Sequence, residues 1–229
     1  MARIGKSSLV MFVLAVIAVA MLTLGASRAS ADSLGFDLNA ANLSGLTAPY
    51  VHVDISWAGG SPSSTATVTF TGLTSGGFTY LIGDGSAVAL NTNGVANSSG
   101  YSWTGGSGTT AFTQADPPGT STVDGFGVFN FTANDFDGFT RAVSSVTFTL
   151  TKSSGSWANA AGVLTPNSAG ATAAAHIFVV GSDCGGTICT GYASNGTAVP
   201  EPGTLALVGS GLVGLGAAVR KRWFGRKDA

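Results

Sequence analysis

Two stretches between Tyr50 and Thr71 alternate apolar and polar residues one for one, and a period of two fits a β-strand with one face buried. In Tyr50–Trp57, Val51, Val53, Ile55 and Trp57 share one face, while His52, Asp54 and Ser56 share the other. In Thr65–Thr71, Ala66, Val68 and Phe70 point one way and four threonines the other. Further strands are expected at Phe78–Ile82, Ala87–Leu90, Val123–Phe131, Val143–Thr151 and Ala175–Val180. Gly83-Asp84-Gly85-Ser86 reads as a hairpin turn, because glycine and aspartate tolerate positive φ. The body shows no helical period. Short strands separated by Gly-rich turns predict a mainly β fold, a single antiparallel β-sandwich or jelly-roll-like ectodomain. Asn91–Gln114 reads as a polar loop and residues 193–199 as a linker.

The ends are of different material. A mean hydropathy of +0.36 would suit a membrane protein, but two terminal apolar segments inflate it. Arg3 and Lys6 precede an uncharged run from Leu9 to Gly25, and Ala29-Ser30-Ala31 supplies the small residues that signal peptidase reads. Residues 1–31 are therefore expected to be a secretory signal helix, with Asp32 as the mature amino terminus. Residues 32–192 would be the exported domain. From Asp32 to Ala198 there are nine aspartates against only Arg141 and Lys152, a formal charge of −7. So acidic a body argues against nucleic acid as a partner.

The last thirty residues have three parts. Pro200-Glu201-Pro202 favours extended backbone, because each proline fixes its own φ and disfavours helix in the residue before it. Residues 204–219 contain no charge and are expected to form a marginal transmembrane helix, a little short of the roughly 20 residues of a full span. Ala206, Ser210, Gly214 and Ala218 fall on one face of that helix, a small-residue seam that lets another helix approach. Arg220, Lys221, Arg222, Arg226 and Lys227 follow within residues 220–227 and predict a cytoplasmic carboxyl end with the body outside.

This order closely resembles the PEP-CTERM sorting signal of Gram-negative bacteria. The resemblance covers about residues 199–227. It implies a partner, the membrane enzyme exosortase, which recognises and cuts the tag near Pro-Glu-Pro. It further implies transient residence in the inner membrane, then a cell-surface or extracellular location near exopolysaccharide or biofilm. Segments such as Asp124-Gly-Phe-Gly-Val-Phe-Asn and Ser145-Val-Thr-Phe-Thr are also similar to bodies of such proteins, which implies no activity.

Within the body, Cys184 and Cys189 are the only cysteines, and an oxidising destination predicts a disulfide between them. Closing so small a loop contributes about 2 kcal/mol, so its expected role is to fix a turn. Asp124, Asn134, Asp135 and Asp137 allow two readings: oxygen ligands for calcium, or an Asx-rich turn. Tyr101, Trp103 and Trp157 could stack on sugar rings or belong to the core. His52 and His176 are expected to be structural, the ring of His176 bonding a neighbouring backbone group or acid. No serine lies in a G-x-S-x-G turn. A non-enzymatic surface or matrix protein is the leading expectation, with no cofactor other than the calcium held open. A carbohydrate-binding module is the alternative. A secreted glycan hydrolase would need two of Asp54, Asp84, Asp124, Asp135 and Asp137 across a cleft.

Overall fold

The computed structural model describes residues 32–57, 59–106, 119–135, 138–181 and 188–197. In chain order the strands are β1 (Asp32–Leu38), β2 (Ala40–Ala41), β3 (Val51–Trp57), β4 (Thr65–Gly72), β5 (Thr74–Ser75), β6 (Phe78–Ile82) and β7 (Asp84–Leu90). They continue with β8 (Val95–Thr104), β9 (Ser121–Val123), β10 (Gly127–Phe129), β11 (Phe131–Asp135), β12 (Ser145–Lys152), β13 (Ala173–Val180) and β14 (Cys189–Ser194). Short 3-10 turns occupy Gly138–Arg141 and Ala160–Val163. No helix among the described residues is long and apolar enough to cross a membrane. The expected signal helix and the 204–219 helix lie outside the described residues.

One sheet runs β1-β3-β4-β12-β8 and the other β11-β7-β13-β14-β2, with β6 added on β13 and β5 on β6. Every pairing is antiparallel, and β9–β10 forms a separate hairpin. The alternation read from sequence places the core. Val53, Val68 and Phe148 of the first sheet share one buried cluster with Val88, Ile177 and Val179 of the second. Phe148 stacks on Phe70, Phe131 and Tyr101 there, with ring centroids 5.2–6.4 Å apart. Burying side chains of this size supplies about 1.5–3 kcal/mol each, the main favourable contribution to folding.

Several expectations change. Gly83–Ser86 is not a hairpin turn, because β6 and β7 do not pair with each other; both pair with β13. From Ala175 to Ile177, β13 advances two residues while its partners go from Val88 to Ile82, six residues, so the intervening residues bulge out opposite His176. Asp84 (φ 66°) takes the positive φ expected of it, but the second such residue is Ser86 (φ 52°) rather than Gly83 or Gly85, and the chain uses the pair to break a strand rather than reverse it. The single strand expected at Val123–Phe131 is divided by turns and contributes to β9, β10 and β11. The expected polar loop contains β8, whose Trp103 and Tyr101 turn inward against the core. The linker begins too early at 193: Ala193 and Ser194 belong to β14, and Asn195 Oδ1 accepts from the amides of Thr172 (3.0 Å) and Ala173 (3.1 Å).

Candidate functional site

The clearest convergence of chemically active side chains lies on the outward face of the second sheet. On β13, Ala173, Ala175, Ile177 and Val179 face the core, so Ala174, His176 and Phe178 face the other way. That outer face is not bare. The β9–β10 hairpin packs Val123, Phe126 and Phe129 over Ala89 and Ala174, and Phe139 packs with Leu81 and Phe178. His176 stands between these two patches, with only 9% of its surface exposed.

Its ring stacks on Tyr192 (4.5 Å between centroids) and Phe178 (5.4 Å). His176 Nδ1 lies 3.2 Å from the Gly85 carbonyl, which the bulge brings within hydrogen-bond reach of the ring and which can only accept. That fixes the tautomer: Nδ1 carries the proton, Nε2 carries the lone pair. Thr190 Oγ1 then donates to Nε2 at 2.7 Å. Tyr192 also donates its hydroxyl to Gly85 O, at 3.1 Å. The sequence expectation of a ring bonded to a backbone group is met. Thr190, Tyr192 and the Gly85 carbonyl were not singled out, because only the pairing of β13 with β14 and the bulge brings them together. The one local signal was the Asp-Gly-Ser chemistry of residues 84–86.

Electrostatics favour a neutral imidazole. Burial pushes the His176 pKa down, and this outweighs the pull of the Asp84 carboxylate and the Gly85 carbonyl towards the charged form. The Tyr192 phenol is pushed up by burial first, then by the charges of Asp84 and Asp124. The sign of the linkage follows. Unfolded, His176 gains a proton near its ordinary 6.5; folded, it does so only at lower pH. Between those values the unfolded chain binds more protons, so stability rises with pH through that window and levels off above it. The expected result is a melting temperature that falls from about pH 7 to about pH 5. His176→Gln should flatten that slope relative to the native chain; an unchanged slope would refute the assignment.

A second histidine cluster lies on the outer face of the first sheet. His52 Nδ1 contacts Asp37 of β1 and Nε2 contacts Asp54 Oδ2 at 3.2 Å, with all three side chains more than a third exposed. His52 and Asp54 therefore do touch, although residues two apart on a strand need not. Gly35 makes room: a Cβ there would come 3.2–3.3 Å from Asp54 and His52. Exposed pairs of this kind contribute about 0.2–1 kcal/mol.

The other candidates are dispersed. Trp157 is 1% exposed, its backbone bridges Ser63 and its indole donates to Asn93 O at 2.9 Å, so it is a core residue and offers no sugar platform. Tyr101 lies half-buried on Phe148, and Trp103 is half-buried against the same core. Asp124 accepts from Asn42 Nδ2 at 3.2 Å, and Asn134 Oδ1 accepts from the Ser86 amide at 2.7 Å, so these oxygens serve the protein. Asp135 is buried, and Asp137 lies outside the described residues. No group of three His, Cys, Asp or Glu among the described residues can hold a metal ion. Cys189 begins β14, while its expected partner Cys184 lies outside the described residues.

The carboxyl end completes the picture. The last strand ends at Ser194, and only a few residues separate it from Pro200. The family model for the PEP-CTERM protein-sorting motif matches residues 198–222. The chain carries a PEP-CTERM sorting motif. Such a motif marks a protein that exosortase sorts from the membrane to the cell surface. Pro200, Glu201 and Pro202, the seam Ala206, Ser210, Gly214 and Ala218, and Arg220, Lys221 and Arg222 all fall within the PEP-CTERM match. Arg226 and Lys227 follow it. All of them, with the cleavage-site residues Ala29 and Ala31, lie outside the described residues; Asp32, the expected mature terminus, opens β1. No curated protein and no solved structure matches the chain.

Proposed function

We propose that this chain is a non-catalytic surface or matrix protein whose working part is the two-layer β body from Asp32 to about Gly196, associated with exopolysaccharide or biofilm. Signal peptidase removes residues 1–31. Residues 204–219 then hold the chain in the inner membrane, with the basic residues 220–227 in the cytoplasm and the body in the periplasm. Exosortase cuts near Pro200-Glu201-Pro202, and the body goes to the surface. In the periplasm Cys184 and Cys189 join, closing the short connection between β13 and β14.

The observation that carries this reading is the PEP-CTERM match at residues 198–222. The fold supports it, since the body ends in a strand packed on its own sheet immediately before the tag. Cutting the tag would leave that sheet and its core untouched. The test is delivery in a host with exosortase intact or deleted. With the enzyme, an epitope in the body should be found at the surface; without it, the epitope should stay in the membrane fraction. Undiminished surface delivery in the deletion strain would overturn the reading.

A further inference from the structure

We propose that Thr190 is a primed acyl-acceptor site, a hydroxyl that His176 activates to take an acyl group from an ester or thioester donor. This goes beyond sorting, since it lies wholly in the body and does not need the tag. The geometry has the three parts of an activated nucleophile: a hydroxyl, a base in hydrogen-bond contact with it, and a group that orients the base. Thr190 Oγ1 is 2.7 Å from His176 Nε2, and Gly85 O holds Nδ1 at 3.2 Å. Because the carbonyl can only accept, Nε2 is left with its lone pair towards Thr190.

The surroundings hold this arrangement in place. Tyr192 covers one side of the imidazole and braces the same carbonyl through its hydroxyl, and Phe178 also stacks on the ring. The carbonyl itself is delivered by the Gly83–Ser86 bulge, with positive φ at Asp84 and Ser86. Positive φ at residues with a side chain costs on the order of 1–3 kcal/mol each and persists only where the surroundings enforce it. Thr190, unlike the imidazole, is exposed, so a donor can reach the oxygen while the base stays sheltered. Burial keeps the imidazole neutral near neutral pH, so Nε2 presents its lone pair to the Thr190 hydroxyl there.

The step balances without a further reagent. Thr190 Oγ1 forms a bond to the carbonyl carbon of the donor, and its proton passes to His176 Nε2. The bond from that carbon to the leaving alkoxide, phenolate or thiolate breaks, and the leaving group takes the proton from Nε2. The products are an ester at Thr190, a neutral His176 and an alcohol, phenol or thiol.

The test uses the exported chain with p-nitrophenyl acetate as donor, following release of nitrophenolate and locating the acetyl group by peptide mass analysis. The native chain should acquire one acetyl group at Thr190, with a rate that falls as His176 gains its proton. Thr190→Ser should keep the reaction. His176→Gln should slow it by at least about 100-fold, the usual contribution of a positioned base. Thr190→Val, which keeps the shape at an exposed position, should lose the Thr190 label while still melting cooperatively. Two results would overturn the proposal: no acetyl group at Thr190 in the native chain, or labelling there at the native rate in a folded His176→Gln protein.

Discussion

Replacing Pro200-Glu201-Pro202 with three alanines should leave the body in the inner membrane and reduce its surface pool to background. The physical reason is conformational. Two prolines fix their own φ and push Val199 and Glu201 towards extended backbone, and a protease binds an extended strand. Alanine removes both restraints and favours helix where the prolines favour extended backbone, because alanine is the best helix former and proline the worst. Glu201→Gln separates shape from charge, since it keeps the prolines and removes the carboxylate. Neither change touches the core, so the retained protein should remain folded and resist proteolysis like the native body. The measurement is fractionation followed by detection of an epitope in the body. A surface pool unchanged by the triple substitution would mean that the motif is not what sorts this chain.

The largest stability loss expected from a single substitution outside the tag is at Trp157. Trp157→Ala removes an indole that is 1% exposed and leaves the Asn93 carbonyl without the bond it accepts at 2.9 Å. It also removes the ring under the Lys152 ammonium, 5.5 Å away. Large-to-small changes of this kind cost about 3–5 kcal/mol, a large share of the 5–15 kcal/mol that holds a typical domain together. Denaturant unfolding of the isolated body should therefore show a midpoint far below that of the native chain. Trp103→Ala, at a half-buried position in β8, should cost clearly less. Equal, small losses at both positions would mean that Trp157 does not close the core as its burial indicates.

The difference between these tryptophans shows what local sequence can and cannot reveal. The strands β3 and β4 were legible because their faces are decided residue by residue: Val51, Val53 and Ile55 must be buried together, and a slip of one residue would expose them all. Trp157 stands among serine, glycine and asparagine, which say nothing about burial. Its place is set by Ser63, far away in the chain, with which it forms a two-way backbone bridge. The turn at Gly83–Ser86 was misread for a related reason. Asp-Gly-Ser chemistry allows positive φ in a hairpin and in a bulge alike. Only β13, by pairing with both β6 and β7, decides between them.

The candidate site was half legible. A histidine in Ala-Ala-Ala-His-Ile-Phe-Val must satisfy its ring, and a backbone group is one of the partners the sequence leads one to expect for His176. Thr190 gave no signal of its own, since a threonine in a strand is ordinary. It matters only because the register setting Phe178 opposite Thr190 places its hydroxyl diagonally across from His176. The sorting motif was legible for the opposite reason. Its meaning lies in a linear order of residues, and the match at 198–222 needs no partner from elsewhere in the chain.

The most direct test of the account is the carboxyl terminus of the exported protein. Intact mass and carboxyl-terminal sequencing of the surface or medium pool should show chains that end near Pro200-Glu201-Pro202 and lack residues 204–227, while the membrane pool retains them. An exported pool that still ends in Arg226-Lys227-Asp228-Ala229 would contradict it.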